Sequence, residues 1–481
     1  KQPSKAPGLL SGWGLCLLLM PCFVGAQSIH ALSTMNTGPM MLGPWASNRS
    51  SQLSDQLWYG NFDERSISSM STYDDLYRAQ FDDSRSSVYY WHSSTTMTLP
   101  LNNVGTLIFS INNHEANSLS VPDDTTRQLI DTGLAEGGIG LYRQWGGGAF
   151  SGLIFASWNN LYGPESADWT TWLRWNLWSS GAIQAGAGRE ATSLSIDITT
   201  QGNDYGFDAT QVYLWTQLQL EVGFRNWRWL AAYRQQELSK SLLGSADGRF
   251  YIEPQIAREH WKMDLLWQLP QGLELRLAWR KLDVVGSAFF YWEGSDFGRL
   301  TVLNSGEESL ALSARMVLQS GDSLLVTVDG GKLTSDQRGH IDPWPFLGIA
   351  LFDQTMRVYM SSNGDLITKA AAMRYFHRGG NWLGLRWLRL EPDAKLIWHE
   401  RRFLVIIGDI HASTLKLTQA DLLILTMEKQ FAIGNLSVRY GISQAVPVAV
   451  KYTEPPPPTI GEKGGRVRGG TYHLLSLTYA F

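Results

Sequence analysis

Few dyads in this chain have residue types and spacing that could do covalent chemistry. Asp409-Ile410-His411 sets a carboxylate and an imidazole two positions apart. On a strand both side chains point the same way, so the carboxylate could orient the imidazole toward a water. His92-Ser93-Ser94 and His411-Ala412-Ser413 place a base two residues from a hydroxyl. Nucleophilic catalysis needs base, nucleophile and orienting group in contact, and neither dyad supplies the third member. Other chemistries lack their signatures. Gly137-Gly138-Ile139-Gly140 is followed by alternation rather than a helix, so it forms no phosphate cradle. The nine His show no zinc spacing, there is no haem-attachment motif, and no cofactor is expected.

A larger set of charges sits at alternate positions of strand-like segments. The cations are Arg174, Arg228, Arg234, Lys262, Arg276, Arg280, Arg315, Arg357, Arg374 and Arg439. The anions are Glu221, Asp264, Glu274, Asp329 and Glu428. Gathered on one surface, they would either hold neighbouring strands together or concentrate anionic solutes along a path.

The segments that carry these charges alternate cleanly. Trp261, Met263, Leu265, Trp267 and Leu269 share one face, opposed by His260, Lys262, Asp264 and Gln268. Across Pro270-Gln271-Gly272, Leu273, Leu275, Leu277 and Trp279 oppose Glu274, Arg276 and Arg280. Similar hairpins are expected at 212–224 with 227–234, the first having Val212, Leu214, Leu218, Leu220, Val222 and Phe224 on one face. Another pairs 310–318 with 324–328 around Gln319-Ser320-Gly321-Asp322. Period-two alternation gives each strand one apolar and one polar face.

Composition narrows the setting. The 481 residues are 44% hydrophobic but only 17% charged, with 21 Trp and a net charge of −4. No basic block suggests nucleic acid. Beyond the first 26 residues no long apolar run predicts a membrane helix. A soluble sandwich would bury the apolar faces; a transmembrane barrel would turn them to lipid. Segments of about 9–13 residues, the length of tilted crossing strands, favour the barrel. So do Trp227, Trp261, Trp279, Tyr440 and Tyr479 near stripe ends, and tight turns alternating with long ones at 330–347 and 443–470.

The ends of the chain agree. Lys1 and Lys5, the apolar run Leu15–Met20 and the small residues Val24-Gly25-Ala26 read as a secretory signal peptide over 1–26. Both cysteines, Cys16 and Cys22, lie within it. Residues 27–86 are rich in Ser, Asn, Asp and Gly without periodicity and are expected to form an extension or plug. The barrel is expected over 87–481. The final segment carries Leu475, Leu477, Tyr479 and a terminal Phe481 on one stripe. It resembles the closing strand of bacterial outer-membrane β-barrel proteins, a broad class with porin-like members. That resemblance implies an outer-membrane location in a Gram-negative cell and a stripe read by the assembly machinery. The Asp-x-His and His-x-Ser spacings match those of omptin-type proteases and outer-membrane phospholipases, but the surrounding residues do not.

The expected fold is therefore an all-β antiparallel transmembrane barrel of about 14–18 strands. The expected function is a channel or transport pore for small solutes, anions among them, rather than an enzyme. Its partners would be the lipid bilayer, the assembly machinery and the solute. Residues expected to line the lumen are Arg228, Arg234, Lys262, Asp264, Glu274, Arg276, Arg280, Arg315 and Arg439. A translocator for an exported polymer or protein is the alternative, followed by a barrel-borne surface enzyme or adhesin. The loop at 443–470, with its four prolines Pro455–Pro458, reads as a stiffened spacer.

Overall fold

A computed structural model describes residues 66–480 apart from 82–83, 102–103, 124–125, 160–167, 179–180, 201–202, 246–249, 293–294, 342–356, 402–409, 415–416 and 453–465. The strands are β1 (Ser66–Phe81), β2 (Ser84–Leu101), β3 (Gly105–Asp123), β4 (Thr126–Trp145), β5 (Phe150–Asn159), β6 (Asp168–Trp178) and β7 (Gly181–Thr200). They continue with β8 (Asn203–Phe224), β9 (Trp227–Ser245), β10 (Phe250–Leu269), β11 (Leu273–Trp292), β12 (Ser295–Val317) and β13 (Ser323–Ile341). The last are β14 (Arg357–Phe376), β15 (Trp382–Arg401), β16 (Ile410–Thr414), β17 (Leu417–Ile433), β18 (Leu436–Tyr452) and β19 (Arg466–Ala480).

All pairings are antiparallel, and β1 pairs with β19, Ser66 opposite Ala480, so the sheet closes on itself. β16 and β17 pair with successive stretches of β15 and share one position in the ring, which makes the barrel eighteen-stranded. Closure leaves neither terminal strand with an open edge, the condition a sheet must meet to stand in hydrocarbon. One stretch departs from simple succession. The short hairpin of β5 and β6 lies between the turn-side halves of β4 and β7. Beyond it Thr126–Asp131 pair directly with Ser195–Thr200, so the ring there is two strands narrower.

One end of the barrel carries the tight turns. Pro270-Gln271-Gly272 joins β10 to β11, with Gln271 and Gly272 at positive φ of 74° and 77°. Gly321 turns β12 into β13 at φ 84°. Both tight turns read from the sequence are present here, and the three expected hairpins pair as β8–β9, β10–β11 and β12–β13.

Several expectations need correction. The unpatterned extension over 27–86 is not one piece: Ser66–Phe81 is β1 and Ser84–Arg85 begin β2. Their Ser, Asp and Tyr residues carry no apolar stripe, which hid them. Residues 1–65, including the expected signal peptide, lie outside the described residues. Strands run well past the expected 9–13 residues, to 23 in β12. The expected long turn at 330–347 is strand as far as Ile341, and that at 443–470 is strand to Tyr452 and again from Arg466. Val212 is buried rather than on the exposed stripe, beside a register shift between Val212 and Tyr213.

Candidate functional site

The two faces of the closed sheet differ in kind. On the outside, Leu310, Leu312 and Met316 of β12, Val326 and Val328 of β13, Leu383 and Leu385 of β15, and Leu425 and Met427 of β17 are all exposed. Moving away from the turns, this stripe becomes charged at equivalent places: Lys281 on β11, Glu308 on β12, Lys332 on β13, Lys369 on β14 and Arg389 on β15. The apolar belt is about nine residues deep, which at about 3.3 Å per residue and about 40° of tilt is roughly 23 Å. That matches the apolar thickness a bilayer requires. It also accounts for the long strands. Strict alternation of apolar with polar ends at the rim of the belt, while the ladder continues beyond it.

Aromatic rings mark both rims. On the turn side, Trp227 stacks on Trp267 at 4.5 Å and Phe150 on Trp175 at 5.7 Å. On the far side, Tyr233 meets Trp261 at 4.4 Å, and Trp279 donates to Glu308 at 2.8 Å. Amphipathic rings at both edges of an apolar band occupy the two water–lipid interfaces. The chain is a transmembrane β-barrel of the outer-membrane type. No protein-family model matches it, and no curated protein matches it. Solved structures similar to it include CdiB from Acinetobacter baumannii (9% identity, 86% of this chain, TM-score 0.37); this chain spans 60% of that protein's length. OccAB3 from the same organism is 9% identical over 86% of this chain and 99% of its own, TM-score 0.35. A bacterial polysaccharide outer membrane secretin is 9% identical over 87% and 99%, TM-score 0.30. The barrel reading itself rests on the closed ladder and the belt.

The inner face has two regions. From β3 to β8 its packing is built around an aromatic core: Ile108, Tyr142, Leu153, Phe155, Trp172 and Trp215 form one buried cluster, with the polar Ser110, Ser151, Asp168, Thr170 and Gln184 buried beside it. Glycines make room for the rings. A Cβ at Gly186 would overlap Trp172, one at Gly188 would overlap Trp215, and Phe155 occupies the space over Gly138 and Gly140. Each ring lies flat on a neighbouring strand, and Trp172 and Trp215 contact each other across β7 at 5.2 Å.

From β8 to β18 the inner face is a ladder of charges. Arg228 pairs with Glu221. Asp264 accepts from Arg276 at 3.0 and 3.3 Å and lies 3.6 Å from Lys262. Arg386 reaches across β14 to Asp329 at 2.8 Å, and Arg439 meets Glu428 at 3.2 Å. Arg280 stands opposite Lys262 in the β10–β11 register, and Glu274 opposite Arg315. Arg315 donates to Ser323 Oγ at 3.3 Å and faces the Phe376 ring. Arg234 lies beside Trp215, its guanidinium 4.5 Å from the ring. Strand register sets all nine named residues, from Arg228 to Arg439, at positions of the sheet face opposite the belt. Sequence reasoning missed Arg258 and Arg386 as charged members and named His260 only as part of a polar face. The alternation that singled out Lys262 and Asp264 extends back to Arg258; Arg386 lies on β15, for which no alternation was read.

The remaining expectations separate. Leu475, Leu477 and Tyr479 are exposed on the outer face of β19; Phe481 lies outside the described residues. Asp409 and Pro455–Pro458 also lie outside them. His92 stands on β2 and His411 on β16, with β18, β19 and β1 between their ring positions, so the two dyads do not form one site. Among the described residues no cluster of His, Cys, Asp and Glu is arranged to hold a metal ion.

Proposed function

We propose that this barrel is an outer-membrane channel that passes small solutes and favours anions. The reading rests on one observation. The inner face of ten consecutive ring positions, β8 to β18, carries an unbroken series of guanidinium and carboxylate groups. A core meant only to be filled would use apolar side chains, since burying an ion pair is at best neutral against a hydrophobic replacement. Charges retained along a wall fit contact with water and ions. Cations outnumber anions among the named members, so the local potential attracts anions. Selectivity comes from that potential, and no step of bond making or breaking is involved.

The test is conductance of the purified barrel in planar bilayers. We expect ohmic steps and a reversal potential of the sign for anion preference across a salt gradient. A barrel that inserts, as judged by heat-modifiable migration, and yet passes no current at any voltage would overturn the channel reading.

A further inference from the structure

At the far end of the ladder, at the level where the outer stripe turns polar, two neighbouring inner-face arginines rest on aromatic rings. Arg258 of β10 reaches across β9 and lies on the Tyr213 ring, 4.5 Å from its centroid. The same guanidinium donates to Tyr213 Oη at 2.9 Å. Two residues along β10, His260 is buried and its Nε2 is 3.1 Å from Gln236 Oε1. Directly opposite His260 in register stands Arg234, whose guanidinium lies over Trp215 at 4.5 Å. Two guanidinium groups therefore flank one imidazole, each laid on an aromatic ring.

The contrast with the ladder is chemical. There, Arg276, Arg386 and Arg439 each meet a carboxylate within 4 Å. Arg258 has a phenol instead, and among the described residues no carboxylate pairs with it. Its Nε is shielded from water and donates to no group, while Tyr213 fixes the plane of the fork. An aromatic ring holds a guanidinium in place without neutralising it, so its charge and free N–H groups stay available. Around it stand Gln236, opposite on β9, and the apolar Val284, opposite on β11. A positive, partly dry, pre-oriented fork binds an oxyanion in bidentate fashion more strongly than an exposed one.

We propose that Arg258, set on Tyr213 and flanked by His260 and Arg234, is a binding station for an oxyanion. The ligand class is a carboxylate or phosphate group carried by a small solute. The proposal deepens the channel reading by naming what the wall recognises. Binding and conduction can nevertheless be scored apart.

The experiment titrates detergent-solubilised barrel into inorganic phosphate and, separately, 13C-labelled acetate, and reads the 31P and 13C linewidths at constant ionic strength in chloride. Wild type should broaden one or both lines, the two arms deciding between phosphate and carboxylate. Arg258→Gln should weaken that binding by about tenfold or more. Arg258→Lys keeps the charge but loses the fork, and should fall between them. Equal broadening by wild type and Arg258→Gln, or no broadening by wild type, would overturn the station. Equal broadening by wild type and Arg258→Lys would overturn the role given to the fork. Heat-modifiable migration confirms that each variant is folded. Binding without current keeps the station and removes the channel; current without binding does the reverse.

Discussion

The two inner regions of this barrel solve the same problem with opposite chemistry. Between β3 and β8 strands are locked by rings lying over glycine, as Trp172 lies over Gly186. Between β8 and β18 they are locked by charge, as Arg386 is by Asp329. The first device is steric and indifferent to salt. The second is electrostatic and leaves a polar surface. A wall that serves only to hold needs the first; a wall that meets ions needs the second. On the channel reading, the position of the charges, rather than their number, marks the side of the barrel that meets the solute.

That contrast can be broken experimentally, beginning with the largest effect. Exchanging Arg276 and Arg280 together for Glu changes the local charge by four and should reverse the sign of the reversal potential in a salt gradient. An unchanged potential would show that the path does not run along the charged wall. Next, Asp329→Asn leaves the buried Arg386 without its carboxylate and should destabilise the barrel by about 3 kcal/mol. Urea unfolding in lipid, followed by Trp fluorescence, measures this, and high salt should not restore the loss. Gly186→Ala should cost about 1–3 kcal/mol by the same measurement, since Trp172 must leave its seat. Gly331→Ala on the charged wall meets a backbone oxygen at 3.0 Å and Thr368 Oγ1 at 3.2 Å rather than ring carbons at 2.2 Å, and should cost less. Equal losses at the two glycines would dissolve the distinction between the walls.

The smallest effect is at the rim of tight turns, where pH acts. Asp322 accepts from Tyr375 Oη at 2.7 Å, Ser320 Oγ at 2.7 Å and the Arg378 backbone N–H at 2.9 Å. These bonds, that from Tyr375 first, hold its carboxyl at about 2, below the usual carboxylate range. A depressed folded value means the contribution is complete above the unfolded value near 3.9 and fades as pH falls toward 2. Hydrogen exchange at the Arg378 amide should therefore stay protected from pH 7 to about 4 and open below it. Asp322→Asn should open it at neutral pH.

How much of this was legible in the sequence varies by residue. The hairpin of Trp261–Leu269 with Leu273–Trp279 was plain, because lipid on one side and polar neighbours on the other impose strict alternation. The same logic found Lys262, Asp264, Arg276 and Arg280. It failed where lipid stops. Above Lys332 both faces of β13 are polar, and above Lys281 both faces of β11 carry apolar residues such as Val284 and Val285, so no alternation marked the strands there. It failed for β1, whose Asp74-Asp75 and Ser-rich stretch carries no stripe. Pairings between separate hairpins, such as Arg386 with Asp329 or Trp172 with Gly186, depend on register across strands, which periodicity along one strand does not contain. The direct meeting of β4 and β7 was invisible for the same reason.

Closure through β1 and β19 has a consequence in time. The partner of Ser66 is Ala480, so the earliest described strand waits for the latest before its outer hydrogen bonds exist. Until then the nascent sheet has two raw edges and no inside. Neither wall can hold water, ions or anything else. Whatever this molecule does, that ability waits on the pairing of β1 with β19.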